Sequence, residues 1–317
     1  MTWLSWRQQR TETLIVATLL ALLAAAFIPA GIHLSDLFAQ QDIARCIGRQ
    51  TLPCSFALGS FNNRLGFVHG LLAGGWFNLI PGLIGVALAT PTLLDLENGT
   101  VRLAWTQSIT RRRWIVTKLA LTLGVALAAS VLFSLLFTWY QRPLDRIYGH
   151  WDEFGFEGIV PLAYTLFALG LALAIGVLLR RSAAAMVVAF GAYVAVRLFV
   201  QSWLRQRLVT PLAATWGLHS SGPNISRAWV ITEGPSDRAG HLFGGNSLVL
   251  QTCSRPGPKG AKGLDPACMA RHGAGFTHLV YQPGSRFWEI QGLEFALFAG
   301  IAVLLIAFAT WRVLASD

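Results

Sequence analysis

The stretch Gly99–Leu119, GTVRLAWTQSITRRRWIVTKL, carries four arginines and one lysine, two tryptophans and no acid, and it lies between two long apolar runs. Charge of one sign at a short connection is how a membrane protein marks the side on which its loops are retained. Read this way, the apolar runs on either side are spans and the stretch is the loop between them.

The rest of the chain agrees. Of its 317 residues 54% are hydrophobic and 13% charged, against about 25% charged in a soluble domain. The net charge of +10 would suggest nucleic acid in a soluble protein. Here the basic residues punctuate apolar runs, so nucleic acid is not expected as a partner and membrane lipid is. Six segments reach the length of about 20 residues that a helix needs to cross a bilayer: Leu14–Ile32, Leu65–Leu94, Leu119–Tyr140, Gly158–Leu179, Ser182–Leu204 and Ile290–Trp311. Lipid cannot satisfy exposed backbone groups, and the runs lack strand alternation, so each is expected to be helical. The first follows Arg7 and Arg10 as a signal peptide would, but it is longer than a signal core and no clear cleavage site follows, so it is kept as a span.

Six spans place both termini on one side. The ends on that side carry Arg7, Arg10, Arg102, Arg111, Arg112, Arg113, Lys118, Arg180, Arg181 and Arg312, and the opposite short loops carry Arg45, Arg49, Arg64, Arg142 and Arg146. Ten against five makes the termini, and Gly99–Leu119 with them, cytoplasmic.

Residues 205–288 are of a different kind, rich in Gly, Pro and Ser, with strand-like runs such as AWVIT, NSLVLQT and THLVYQ. Too long for a bare linker, they predict a small extracytoplasmic subdomain with some β structure between spans 1–204 and 289–317. All four cysteines, Cys46, Cys54, Cys253 and Cys268, fall in segments on that side, as an oxidising compartment predicts. Of the three possible pairings, Cys46–Cys54 and Cys253–Cys268 close the shortest loops. A zinc site of Cys253, Cys268, His272 and His278 is the rival reading, weakened by the absence of a tight C-x2–4-C knuckle; no metal is expected.

The chain has no G-x-x-x-x-G-K-[ST] loop for ATP, no H-E-x-x-H and no G-x-S-x-G, and no catalytic residue stands out. Polar residues inside spans are costly and so become candidates for a pathway. His69 is either wetted at the interface or a ligand. Asn78 precedes Pro81, whose ring would kink a helix interior toward a pathway or for packing alone. Arg197 and Glu294 either pair or reach the surface separately. In the connection itself, Val101, Trp105 and Ile109 recur every four residues and stack on one helical face. By itself this describes a surface helix anchored at the interface.

The layout resembles the permease subunits of type-2 ATP-binding-cassette exporters. An acid followed by glycine–threonine (Glu97, Gly99, Thr100), a polar turn, threonine before arginine (Thr110, Arg111) and a lysine opening the next span (Lys118) are similar to the pattern of that family, although many members carry proline where this chain has Ser108. RLAWTQSITRRRW and YQPGSRFWEIQGLE resemble a subgroup common in high-GC Gram-positive bacteria, with an extracytoplasmic domain before the last helix. The resemblance implies a coupling helix near residues 97–113, presenting Glu97, Gly99, Thr100, Val101, Trp105, Ile109 and Arg111–Arg113 to a separate ATPase chain, with a second permease copy or a paralogue completing a dimer. ATP and magnesium would belong to the ATPase.

The expectation is thus an all-α membrane protein of six transmembrane helices, with a short cytoplasmic coupling helix and a small disulfide-bonded extracytoplasmic subdomain. It would serve as an efflux permease of a bacterial cell membrane and not as an enzyme. The alternative is an ATP-independent membrane-embedded enzyme or a receptor-like immunity protein.

Overall fold

The computed structural model describes residues 2–49, 51–73, 75–98, 110–218, 220–245, 247–256 and 262–315. In chain order the helices are α1 (Thr2–Gln40), α2 (Leu52–Asn62), α3 (Gly66–Ala73), α4 (Ile80–Glu97), α5 (Arg111–Tyr148), α6 (Val160–Leu179), α7 (Ser182–Phe199), α8 (Arg205–Leu208), α9 (Leu248–Thr252), α10 (Pro266–Arg271) and α11 (Phe287–Ala315). The strands are β1 (Leu212–Gly217), β2 (Trp229–Ser236), β3 (Ser254–Pro256), β4 (Lys262–Leu264) and β5 (Phe276–Gln282). They form two compact units, one of Met1–Ile147, Glu153–Arg205 and Trp288–Asp317, the other of Tyr148–Asp152 and Gln206–Phe287.

Among the described residues six helical stretches are long and apolar enough to cross a membrane: Ser5–Gln40, Trp76–Glu97, Arg111–Tyr148, Val160–Leu179, Ser182–Leu208 and Gly284–Ala315. Within the first unit α4 packs mainly on α6 and also on α7 and α1, and α6 packs on α7. The apolar windows of Trp76–Glu97 and Val160–Leu179 are 61% buried inside the chain, against 17% for Ser5–Gln40. The second and fourth spans are therefore the core, and the first is largely left to its surroundings. Near one end an aromatic cluster ties the spans together. Phe27 lies 4.6 Å from Phe137 and 5.1 Å from Tyr140, and Phe137 lies 5.3 Å from Phe156, mostly in the tilted or edge-on geometries that ring quadrupoles favour.

The second span corrects the sequence reading. In place of one crossing from Leu65 to Leu94, α3 ends at Ala73, Gly75 takes a left-handed φ of 68°, and a 3-10 turn over Trp76–Leu79 leads into α4. Only glycine adopts that φ without strain. Pro81 consequently sits in the first turn of α4, where its missing N–H has no helical partner to lose, and it makes no mid-helix kink. Pro91 is the proline in the helix interior.

The second unit holds a three-stranded antiparallel sheet in the order β1-β5-β2, with β5 central, and a small β3-β4 ribbon. AWVIT and THLVYQ lie in β2 and β5, but NSLVLQT does not form a strand. Ser247 accepts a hydrogen bond from the Leu250 N–H at 3.4 Å and caps α9, a role serine fills well. Below α9, Cys253, Met269 and Ala274 form a small core with Leu218, Phe243 and Leu250 packed on it. Disulfides join Cys46 to Cys54 and Cys253 to Cys268. The Cys253 and Cys268 sulfurs are therefore not available as zinc thiolates. His278, the fourth ligand of the rival reading, has Nδ1 2.7 Å from Thr215 Oγ1 across the β1–β5 ladder.

Candidate functional site

The sequence-predicted coupling residues Gly99, Thr100, Val101, Trp105 and Ile109 lie outside the described residues. Their flanks are described, and both are tied into the first unit. Where α5 begins, the Thr110 hydroxyl accepts from the Arg113 N–H at 3.4 Å, an N-cap for a helix whose first turn is three arginines. Arg112 and Arg113 are exposed and Arg111 half-buried. Trp114 and Ile115, which follow, are buried against Val313 of α11.

At the close of α4, Glu97 Oε2 accepts hydrogen bonds from the Ser182 N–H at 2.9 Å and from the Ser182 hydroxyl. This carboxylate caps the start of α7, whose own N-cap residue, Arg181, makes no side-chain cap. Anions are favoured at that end of a helix. Two residues earlier Asp95 pairs with Lys118 of α5 and accepts from Gln8 Nε2 of α1 at 3.3 Å. Lys118 is buried, its ammonium 5.2 Å from the Trp114 ring centre. Gln9, also buried, donates to the Leu88 carbonyl at 3.1 Å and accepts from the Thr122 hydroxyl at 3.2 Å. Helices α1, α4, α5 and α7 are therefore joined by polar side chains around the ends of the 99–109 connection. Sequence reasoning noted Lys118 but missed Asp95, Gln9 and Ser182.

Toward the start of α4 lies a second polar cluster. Glu294 of α11 is fully buried. Its carboxylate accepts from Arg205 Nε at 2.8 Å, Arg205 Nη2 at 3.0 Å, Arg197 Nη1 at 3.3 Å and the Tyr164 hydroxyl. Arg197 also donates from Nη2 to Asn78 Oδ1 at 3.1 Å, and its guanidinium lies 3.6 Å over the Tyr164 ring. The Tyr193 hydroxyl donates to the Asn78 carbonyl at 2.9 Å. Of the five residues the sequence offered for a pathway, the structure thus brings Asn78, Arg197 and Glu294 together. His69 lies on α3, before the span, and Pro81 in the first turn of α4. Arg205, Tyr164 and Tyr193 were missed.

The local backbone explains Arg205. Eight residues at 100° each would set Arg205 about 80° around a helix from Arg197. The π-turn over Val200–Leu204 absorbs one extra residue, which brings the two arginines back onto one face. Such turns are frequent at functional sites.

Beside this cluster Gln291 holds the non-helical backbone before α6. Its amide donates to the Phe154 and Glu157 carbonyls, both at 3.1 Å, and its oxygen accepts from the Ile159 and Val160 N–H groups at 3.1 and 3.2 Å. From α5, Ser134 donates to the Gly158 carbonyl, and the Thr138 hydroxyl accepts from the Gly158 N–H at 3.3 Å. Buried irregular backbone must be satisfied in this way. Glu157, in that segment, is buried, and burial pushes its carboxyl up to about 8, against a hydrogen bond with Asp145 that lowers it and together with the charge of Glu153, which also raises it.

These clusters supply positioned charge and tie points between spans. No curated protein and no solved structure matches the chain. Residues 17–205, from the first span through the π-turn to Arg205, match one family. Six apolar spans and a match over more than half of its length make this chain a multi-pass membrane protein of the ABC-2 membrane transporter related family, and so a transporter membrane subunit.

Proposed function

We propose that the chain is the permease of an ATP-driven exporter, acting as a dimer of two copies or of one copy and a paralogue. A separate ATP-binding-cassette subunit binds ATP and magnesium and drives the pair. In this reading residues 97–113 are the coupling element and lie in the cytoplasm with both termini, and residues 205–288 form an extracytoplasmic subdomain. Asn78, Arg197 and Glu294 brace the far end of the bundle.

The observation that carries this reading is the fixing of both ends of the connection. A lever between a soluble motor and a set of spans works only if its ends are attached to the helices it moves. Glu97 holds the start of α7, and Asp95 holds Lys118 of α5. A push on the segment between them would reach the second, third and fifth spans together. The family match, which includes every one of these residues, supports the same reading, because membership implies an ATPase partner in general.

The test is expression of the tagged chain in its native host, followed by affinity purification and assay of what is retained for an ATP-binding-cassette subunit. The parent chain is expected to retain the ATPase. Trp105→Asp and the Arg111/Arg112/Arg113→Ala triple variant should insert normally and lose it. Purification of an intact, nucleotide-hydrolysing complex with either variant would overturn the assignment of the coupling element.

A further inference from the structure

Arg197 and Arg205 leave the cluster around Glu294 with an unbalanced charge. Glu294 is 0% exposed, Arg197 3% and Arg205 6%, and arginine keeps its proton in proteins. Among the described residues both arginines pair with Glu294 and with no other acid. The Tyr164 hydroxyl donates to Glu294 and the Tyr193 hydroxyl to the Asn78 carbonyl, so each phenol holds its proton, and Asn78 is neutral. Two positive charges therefore meet one negative charge among apolar helices, a surplus of one.

The hydrogen bonds show where the surplus lies. Arginine presents Nε–H and one Nη2–H on the same edge, a fork that fits two acceptors side by side. Arg205 fills both prongs on Glu294, at 2.8 and 3.0 Å. Arg197 turns Nη1 to Glu294 at 3.3 Å and gives the Nη2 prong to Asn78 Oδ1 at 3.1 Å. Its Nε is buried and has no hydrogen-bond partner. Buried donors in folded proteins are nearly all paired, and an exception points to a bound water or ion. A water accepts from Nε but leaves the surplus charge standing. The Tyr164 ring centre lies 3.6 Å from the Arg197 guanidinium and the Phe154 ring centre 4.0 Å from that of Arg205. Those ring faces soften the charges, but they supply neither an acceptor for Nε nor a full counter-charge, which a buried ion needs.

We propose that the cluster binds one small monovalent anion of the chloride class at Arg197 Nε. One negative charge balances the sum, which selects a monovalent ion over sulfate. The burial of all three charged groups selects a compact ion over an anion that carries a chain or a sugar. Asn78 is the one member of the cluster that is not fully buried, and it stands in the 3-10 turn that precedes α4, which marks the side from which the ion enters. The bound anion completes the tie among the second, fourth, fifth and sixth spans. The site is separate from the coupling element and does not depend on the transport reading.

The test uses the full chain purified in mild detergent and unfolded thermally at constant ionic strength in sodium chloride, sodium gluconate or sodium sulfate. Chloride should raise the midpoint saturably, by about 2–4 °C at roughly tenfold excess over its dissociation constant, and gluconate and sulfate should not. Asn78→Asp puts a carboxylate of the same size beside Arg197, so the chain itself supplies the missing charge, and the chloride response should vanish. Arg197→Gln, which removes Nε and the surplus together, should lose it as well. Arg142→Gln, which removes an exposed arginine, should keep it. Equal midpoints of the parent in chloride and gluconate, an equal rise in sulfate, or an undiminished response in Asn78→Asp overturns the proposal. So does loss of the response in Arg142→Gln, which would make it an effect of net charge. The chloride NMR line should also broaden more with the parent than with Asn78→Asp, and equal broadening overturns the site.

Discussion

Arg205 grips Glu294 with two parallel hydrogen bonds, Nε to Oε2 at 2.8 Å and Nη2 to Oε1 at 3.0 Å, inside a bundle of apolar helices. The planar guanidinium fork matches the carboxylate, which is why arginine and not lysine suits this position. With Arg197 on the same carboxylate, the group holds two positive charges against one negative. The fifth and sixth spans are joined here, and Asn78 and Tyr164 add the second and fourth.

Glu294→Gln should therefore be the most damaging single change in the cluster, because it strands two buried guanidinium groups. Breaking a buried pair costs about 3–5 kcal/mol. Thermal unfolding in detergent should show a large fall for Glu294→Gln and a partial recovery when Arg205→Met is added. Two additive losses would mean that the pair is not coupled as the distances imply.

Much of this was legible in the sequence and part was not, for physical reasons. The six spans stand out because lipid demands about 20 apolar residues from each. The disulfides stand out because the cysteines sit in pairs within short loops. The break over residues 75–79 is hidden in the sequence, because hydropathy averages over a window and Gly75 changes only the backbone angle. In the sequence Arg205 falls at the start of the predicted extracytoplasmic subdomain, because helical spacing from Arg197 sends it to another face unless a π-turn intervenes. Asp95 and Gln9 were passed over because the value of a polar residue near a helix end depends on which neighbour it meets, and Lys118 is 23 residues away.

The register argument makes its own prediction. Deleting Ser202, within Val200–Leu204, should turn the π-turn into ordinary helix and leave Arg205 seven residues from Arg197, within about 20° of it and still facing Glu294. The variant should lose much less stability than Arg205→Ala. Inserting one alanine after Ser202 should instead swing Arg205 about 100° away from Glu294 and cost about as much as Arg205→Ala. Equal effects of the deletion and the insertion would deny the π-turn a role in aligning the arginines.

At the other end of α4, Glu97→Gln keeps the shape of the side chain but removes the charge that caps α7. Loss of a helix cap costs about 0.5–2 kcal/mol. Asp95→Asn and Lys118→Met should each destabilise more, and the Asp95→Asn/Lys118→Met double variant should destabilise less than the sum of the two, because it leaves no buried charge unpaired. A double-mutant cycle by thermal unfolding reads the coupling. A zero interaction term would remove this tie from the linkage proposed for the connection.

The disulfide Cys253–Cys268 closes a loop with a sequence separation of 15 around the small core of Met269 and Ala274. Closing a loop of that length is worth about 3 kcal/mol by chain entropy, much for a unit with so little buried apolar surface. Cys253→Ser/Cys268→Ser should raise protease cleavage and hydrogen exchange in residues 247–275 and leave exchange in α4 and α6 unchanged. Unaltered protection of residues 247–275 would show that the core holds without its staple.

Glu157 sets a pH dependence whose sign follows from its burial. Its carboxyl is raised from 4.5 to about 8, so between those values the folded chain holds a proton that the unfolded chain has released. Stability then falls as pH rises through that window, by up to about 1.4 kcal/mol per unit, and the full penalty is present above about pH 8. Glu157→Gln, which mimics the protonated form, should flatten the slope. The variant should match the parent near pH 5 and unfold at a higher temperature than the parent at pH 8.5. Curves that stay parallel from pH 5 to 9 would show that another group carries the dependence. A variant less stable at every pH would show instead that the carboxylate, and not the acid, is the form the fold holds.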